Sequence, residues 1–361
     1  MPRRGPRSRP RGRASPRPSR RRRLHPVLIA ILIFAVGVAA LAAAAWLRPA
    51  YTPSTGDRGV ASLERVTLGG LEQQVLIRGR DRSRPILLFL HGGPGMPLIP
   101  YAHAFQRPLE KDFVVVHWDR RGTGNSYAPG MSPGTIRTSR EFADALELIE
   151  LLRRRYGREK VIIVGHSYGA WLGAWIAQQR PDLVEAFVGV GQAACDWPDV
   201  RAAQDSWIRA RAQAAGDRET AKAAASGGAY DRIAAIWRYR GMLWRATRRG
   251  ELKAIAYRAP EYRLREALRM DEAARFTRRS LRMDGPELPL ERSIPRLEVP
   301  VHLFQGRHDN VTPGVCAVRF YEGLNAPAKR LVWFEDSAHF PFLEEPRRFH
   351  EEMLKVAQSR R

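Results

Sequence analysis

Val161-Ile162-Ile163-Val164-Gly165-His166-Ser167-Tyr168-Gly169 combines an apolar β-branched run with one serine between two glycines, and residues 170–179 continue as a helical segment. A serine at such a strand-to-helix turn adopts a strained backbone conformation and exposes its Oγ at the tip. The glycines two positions away are needed because a Cβ there would collide with the neighbouring strand or helix. The pattern therefore predicts that Ser167 is the nucleophile of a serine hydrolase.

The remainder of the chain alternates between predicted strands and helices. Eight apolar runs indicate strands: residues 64–68, 73–78, 85–90, 113–118, 160–164, 186–190, 299–305 and 330–334. Four segments have helical character: residues 139–156, 168–179, 314–324 and 346–358. Alternation of this kind predicts an α/β fold with a mostly parallel sheet, formed here by residues 63–195 and 293–361.

Residues 196–292 interrupt this alternation. They show helical periodicity without a convincing strand, and their formal net charge is about +7. We expect a helical cap that is inserted after the sixth strand and covers the site.

The N-terminus has a separate character. Residues 1–25 contain eleven Arg and no acidic residue, a composition that predicts a disordered tail. Residues 27–47 carry no charge, and as a helix of about 31 Å they are long enough to cross a bilayer core. The sequence thus predicts a transmembrane anchor over 26–47, followed by a linker over 48–62.

Two expectations follow from these N-terminal segments. Arginines in front of an apolar span remain in the cytoplasm, so a single-pass anchor in the cytoplasmic membrane would place the catalytic domain outside the cytoplasm. A cleaved signal peptide and a secreted enzyme are the alternative. The tail is interpreted as the cytoplasmic flank of the anchor, because it lacks the interleaved aromatics of nucleic-acid binders. The predicted partners are a membrane and a small-molecule or peptide substrate, without nucleic acid.

A serine nucleophile needs a base and an acid that orients the base. His339 follows the last predicted strand and Asp309 follows the strand before it, the positions from which open α/β sheets present functional side chains. The chain order Ser, Asp, His agrees with that of α/β-hydrolases. Asp196, after the sixth strand, is the alternative acid.

Two further motifs follow the third and fourth predicted strands. His91-Gly92-Gly93-Pro94-Gly95 leaves the backbone free to direct an N–H at the oxyanion, and we expect the N–H groups of Gly93 and Tyr168 to form the oxyanion hole. The turn that contains Asp119 and Arg121 is expected to support this loop. No His, Cys or carboxylate cluster has metal-ligand spacing, so no metal is predicted.

The two cysteines, Cys195 and Cys316, each follow the end of a predicted strand, and those strands are neighbours in the proposed sheet. A disulfide is compatible with an oxidising compartment. Two separate buried thiols are nevertheless the favoured interpretation.

Together these motifs resemble the proline iminopeptidase branch of the α/β-hydrolase superfamily. The resemblance covers about residues 63–355 and rests on HGGPG at 91–95, D-x-R-G-x-G-x-S at 119–126, G-x-S-x-G at 165–169 and the Asp309/His339 spacing. It implies an α/β-hydrolase fold: an eight-stranded sheet of order 1-2-4-3-5-6-7-8, a helical cap after strand six, and no cofactor. It also implies removal of an N-terminal residue, typically Pro, from peptides, with cap glutamates holding the free amino group.

The chain departs from that branch in three respects. It has Gly-His-Ser-Tyr-Gly where the branch commonly has Gly-Gly-Ser-Trp-Gly, and Met96-Pro97 follows HGGPG in place of another glycine. The basic cap also has no matching Trp-Glu pair. Glu251, Glu261 and Glu266 are available for an amino group, but none is assigned to it.

The predicted function is a serine hydrolase that works through an acyl-enzyme, of aminopeptidase or iminopeptidase type, on peptides or small amides. A carboxylesterase or lipase acting on small or membrane-derived esters is an alternative with the same chemistry. A non-catalytic binding protein on a hydrolase scaffold is the alternative from another class.

Overall fold

A computed structural model describes residues 26–358, apart from the side chains of Ala42 and Ala45. The predicted disordered tail, residues 1–25, lies outside the described residues. The eight strands are β1 Val60–Leu68, β2 Leu71–Gly79, β3 Ile86–Leu90, β4 Val114–Trp118, β5 Val161–His166, β6 Val184–Val190, β7 Val301–Gly306 and β8 Lys329–Phe334.

All eight strands form one sheet with the order β1-β2-β4-β3-β5-β6-β7-β8. β1 pairs antiparallel with β2, β2 pairs antiparallel with β4, and every other neighbouring pair is parallel. The eight-stranded sheet and the strand order implied by the resemblance are therefore confirmed. The carboxyl ends of β3 to β8 lie along one edge of the sheet, where open α/β sheets bind their ligands.

Helices cover both faces of the sheet. The strand β3 shows this, because Leu87 and Phe89 belong to one apolar cluster and Leu88 and Leu90 to another. Every residue of β3, β4 and β5 is buried. Continuous apolar runs are typical of strands that are covered on both faces, and this explains why these strands stand out in the sequence.

The helices follow the chain in this order: α1 Pro26–Leu47, α2 Ile99–Ala102, α3 Thr138–Tyr156, α4 Tyr168–Gln179, α5 Trp197–Ala214, α6 Arg218–Ser226, α7 Arg232–Arg238, α8 Arg249–Tyr257, α9 Leu264–Ser280, α10 Leu290–Ser293, α11 Gly314–Gly323, α12 Pro341–Glu344 and α13 Pro346–Gln358. Helices α5 to α10 lie between β6 and β7, and we call this segment the helical insertion.

The helix α1 forms a compact unit separate from the one that begins at Arg48. A helix that crosses a bilayer core needs about 20 consecutive apolar residues. Among residues 26–358, no helix has the length and the apolar character that a membrane crossing requires. The predicted transmembrane anchor, and with it the localisation in the cytoplasmic membrane, is therefore wrong.

The two cysteines are joined. Cys195 and Cys316 form a disulfide with 5.4 Å between their Cα atoms, across 121 positions of sequence. The favoured expectation of two separate thiols is thus wrong. The physical reason is the pairing of β6 with β7, which brings the segments after both strands together.

Candidate active site

Ser167 occupies the turn between β5 and α4 in a backbone conformation that residues other than glycine rarely adopt. Its φ is 55° and its ψ is −120°, and its N–H donates to the carbonyl oxygen of Val190 at 2.9 Å. A Cβ at Gly165 would collide with the carbonyl oxygen of Gly169, and a Cβ at Gly169 would collide with that of Leu90. Both glycines therefore permit the close approach that keeps the serine at the tip of the turn.

His339 and Asp309 meet beyond the ends of β8 and β7. The Nδ1 of His339 lies 2.9 Å from Oδ2 of Asp309, and both side chains are buried. The other Asp309 oxygen accepts the backbone N–H groups of Val311 and Thr312, while the Thr312 hydroxyl and the Gln305 amide donate to Oδ2. These donors hold the carboxylate in one orientation.

The loop after β6 completes the wall beside this pair. Gly191 has a φ of 54°, and a Cβ on it would lie 3.0 Å from Nδ1 of His339 and 3.1 Å from Oδ2 of Asp309. A side chain at this position would therefore press on the hydrogen bond between the two residues.

His166, the neighbour of Ser167, contacts His339 directly. Its Nε2 donates to the His339 carbonyl oxygen at 2.8 Å, and the centroids of the two rings are 4.6 Å apart. Burial lowers the pKa of His166 well below its ordinary value, so the ring is neutral. The structure thus brings Ser167 and the pair Asp309/His339 to the same edge of the sheet, and it places Asp196 elsewhere, as the N-cap of α5.

Arg120 contacts the glycine-rich loop after β3 through His91. Burial lowers the pKa of His91 well below its ordinary value, which keeps the ring neutral. Its Nδ1 then donates to the Gly92 carbonyl oxygen at 2.9 Å, and its Nε2 accepts the N–H of Arg120 at 3.3 Å. Gly93 has a φ of 119° and its Cβ would meet the N–H of Gly95, so only glycine fits here.

A buried charge network lies beneath this loop. The Arg120 guanidinium is 3.3 Å from a Glu141 carboxylate oxygen and stacks 5.0 Å from the centroid of the Tyr168 ring. The Tyr168 hydroxyl donates to the same Glu141 oxygen at 2.9 Å. Burial raises the pKa of Glu141, with the positive charge of Arg120 opposing the effect. Sequence reasoning missed Arg120 and Glu141, although the position of Arg120 between Asp119 and Arg121 was a signal.

Asp119 and Arg121 each support the turn that carries them. Arg121 forms a buried bidentate ion pair with Asp144 of α3, with both N···O distances at 2.7 Å. Asp119 accepts the hydroxyl of Tyr262 from the helical insertion and the N–H of Asn125. Burial raises the pKa of Asp119 to about 7. Asp119 therefore connects β4 to the insertion.

A second connection joins the insertion to the His339 loop. One Glu344 oxygen accepts the N–H groups of Trp244 and Arg245, at 2.6 and 3.1 Å, and the other accepts the N–H of Ala338 at 2.7 Å. The ring of Trp244 stacks on that of His308, with centroids 3.5 Å apart. Sequence reasoning missed Glu344, which carries no motif.

A cavity of about 180 Å³ lies between the glycine-rich loop and the insertion. Gly95 and Met96 line it on one side, and Trp237, Leu252 and Met270 line it on the other. It borders the loop that is expected to hold the oxyanion.

The glutamates considered for an amino group lie elsewhere. Glu266 accepts the N–H of Arg263 and the side-chain amide of Asn125, and Glu261 is buried beside the Thr52 hydroxyl. Glu251 is exposed on α8. Among the described residues, none of the three lines the cavity, whereas Asp271 does. The described residues also contain no group of three or more His, Cys, Asp or Glu placed to hold a metal ion.

A family model decides the wider relationship. The model of the alpha/beta hydrolase family matches residues 87–352, most of the chain from β3 to α13. The chain belongs to the alpha/beta hydrolase family. It is therefore a hydrolase, and the resemblance to the proline iminopeptidase branch is confirmed by the relatives below.

Relatives with names ending in peptidase support this placement. The probable aminopeptidase YbaC of Bacillus subtilis (strain 168) is 30% identical over 317 residues, which cover 83% of this chain and 98% of that protein. A probable proline iminopeptidase of Streptomyces coelicolor is 31% identical over 115 residues, covering 32% of this chain and 35% of its own. The crystal structure of the proline iminopeptidase of Mycobacterium smegmatis shares the fold, with a TM-score of 0.61, 21% identity, and coverage of 82% of this chain and 98% of that one.

Proposed function

We propose that this hydrolase is a serine amidase of aminopeptidase type that cleaves peptides or small amides through an acyl-enzyme. Ser167 is the nucleophile, His339 is the general base, and Asp309 orients the imidazole. The observation that carries the proposal is the 2.9 Å hydrogen bond between His339 Nδ1 and Asp309. Within residues 26–358, the ring of His339 makes its hydrogen-bond contacts through Nδ1, with Asp309 and Thr312, which leaves Nε2 as the nitrogen for the serine proton.

The chemistry proceeds in two halves. The Ser167 oxygen forms a bond to the scissile carbonyl carbon while His339 Nε2 takes its proton, and the imidazolium is stabilised by Asp309. His339 then donates that proton to the leaving amine as the carbon–nitrogen bond breaks. A water molecule attacks the resulting ester in the same way and releases the acid and the serine.

The negative oxygen that forms in both halves needs fixed donors. We assign this role to the backbone N–H groups of Gly93 and Tyr168. The Arg120 contacts with His91 and the Tyr168 ring support the two donor segments from one buried position. Preorganised donors of this kind are commonly the largest single contribution to such catalysis.

The names of the relatives support the proposed substrate class. A relative that covers 83% of this chain is named a probable aminopeptidase, and others are named proline iminopeptidases. We therefore propose an N-terminal residue of a peptide, or a small amide of similar size, as the group that is transferred to Ser167.

A substrate panel tests this function. Alanyl and prolyl arylamides and p-nitrophenyl esters are compared on the wild-type enzyme and on Ser167→Ala, with folding of the variant checked by circular dichroism. We expect arylamide turnover that Ser167→Ala abolishes. Ester turnover without arylamide turnover would establish an esterase instead, and no turnover of either would favour a binding protein.

A further inference from the structure

The charged side chains that line the cavity are unevenly paired. Lys253 and Asp271 form an ion pair with each other. Arg249 and Arg278 line the same cavity from exposed positions, and neither forms an ion pair or a hydrogen bond within the part of the chain that the structure describes. The lining therefore carries two uncompensated positive charges next to the loop that follows β3.

Tyr101 adds a neutral donor to this lining. The residue lies on α2, it is only 5% exposed, and its hydroxyl has no hydrogen-bond partner among residues 26–358. Burial raises the pKa of Tyr101, so the hydroxyl keeps its proton. The hydroxyl is not one of the fully buried unpaired side-chain atoms of the described residues, so it is accessible from the cavity and can donate to an acceptor on a ligand.

From these contacts we propose that the cavity binds a carboxylate group of the substrate. The planar fork of a guanidinium matches a carboxylate, so Arg249 and Arg278 supply charge and Tyr101 supplies a further hydrogen bond. The assignment rests on the proposed function, because it places the carboxylate on a substrate whose scissile bond lies at Ser167.

A free amino group fits the same cavity less well. Asp271 is the acidic residue of the lining, and its carboxylate already accepts the ammonium of Lys253. A substrate amine would compete with that ammonium for Asp271 and would lie in the field of Arg249 and Arg278. The excess of positive charge opposes it.

Two matched substrate pairs test the proposal on either side of the scissile bond. Glutamyl and glutaminyl p-nitroanilide differ only in the charge of the transferred group. Alanyl 5-amino-2-nitrobenzoate and alanyl p-nitroanilide differ in a carboxylate on the leaving group. In one of the two pairs, we expect kcat/KM to be about tenfold higher for the substrate with the carboxylate than for its neutral partner. A factor of about ten is the effect of one well-placed charged contact.

Variants connect this preference to the cavity. We expect Arg249→Gln, Arg278→Gln and Tyr101→Phe each to reduce the ratio between the charged and the neutral substrate. Arg269→Gln is the matched control, because Arg269 is exposed on α9 and about half a helical turn away from the lining face. The control should keep the wild-type ratio.

Binding without turnover separates this proposal from the proposed function. Saturation-transfer NMR compares glutarate with its neutral diamide on the wild-type protein and on Arg249→Gln/Arg278→Gln. Glutarate binding that the double variant loses supports the site even if no substrate is hydrolysed. Equal ratios in both substrate pairs, together with glutarate binding that survives in the double variant, would overturn the proposal while leaving amide hydrolysis intact.

Discussion

The backbone N–H of His339 donates to the carbonyl oxygen of Met242 at 3.0 Å, so the loop with the proposed general base is hydrogen-bonded to the helical insertion. Glu344 strengthens this connection by accepting N–H groups from both segments. The position of the imidazole therefore depends on the insertion as well as on the sheet.

Glu344→Gln tests this coupling. Both carboxylate oxygens of Glu344 accept backbone N–H groups, so an amide in either orientation places its NH2 against a donor. We expect a loss of about 1–3 kcal/mol in the free energy of unfolding and a fall of about tenfold in kcat from misplacement of His339.

Urea unfolding and steady-state kinetics measure the two effects. Glu351→Gln, an exposed change on α13, is the control and should alter neither. If Glu344→Gln lowers stability and leaves kcat at the wild-type value, the contact is structural and does not position the base.

Gly191→Ala tests the contact behind the Asp309/His339 pair. An added Cβ would lie 3.0 Å from His339 Nδ1. We expect kcat to fall by about 100-fold, the order of loss that small displacements of catalytic groups produce. Gly157→Ala is the matched control, because Gly157 also has a positive φ, 60°, with nothing within 4 Å of an added Cβ.

Both variants carry the backbone strain of a side chain at positive φ, about 1–2 kcal/mol. Kinetics and thermal melting of the two proteins separate strain from displacement. Equal losses of kcat in the control and in Gly191→Ala would contradict our interpretation.

We expect the titration of Asp119 to make the stability of the protein depend on pH. Burial raises its pKa to about 7 in the folded protein, from an ordinary value of 3.8 in the unfolded chain. Its contribution to stability is therefore complete below about pH 4 and is lost as the pH rises through about 7. Over that range, the free energy of unfolding of the wild-type protein should fall by about 4 kcal/mol relative to that of Asp119→Asn.

Denaturant unfolding of both proteins at a series of pH values provides the test. Parallel pH profiles for the wild-type protein and for Asp119→Asn would mean that Asp119 titrates at its ordinary pKa.

Glu141→Gln tests the buried charge network. The change removes the negative charge beside Arg120, whose side chain is only 1% exposed, and leaves a buried cation without compensation. We expect a loss of about 3–5 kcal/mol in the free energy of unfolding. Glu150→Gln breaks the more exposed ion pair with Arg153 and should cost less than about 1 kcal/mol. Similar losses for both variants would show that the network contributes no more than a surface pair.

The centre of the sheet could be predicted because β3, β4 and β5 are buried on both faces. Continuous apolar runs such as Ile86–Leu90 and the turn at Ser167 have few other interpretations. Asp309 and His339 could be selected because each follows a strand end, and chain order distinguished them from the other acidic and histidine residues.

The supporting contacts could not be predicted in the same way. Arg120 occupies an unspecified position of its motif and Glu141 and Glu344 belong to none, so only the tertiary fold shows which groups they contact. The disulfide depends on the distance between two segments 121 residues apart. The uncharged run over residues 27–47 predicted a transmembrane anchor. Among the described residues, no helix fits that prediction.

Covalent labelling of Ser167 is the most direct test of the account. The wild-type protein and Ser167→Ala are treated with a fluorophosphonate, and the adduct is located by peptide mass spectrometry. We predict one adduct, on Ser167, that Ser167→Ala lacks. An unlabelled wild-type protein, or labelling of Ser167→Ala to the same extent, would contradict the proposal that this serine is the nucleophile.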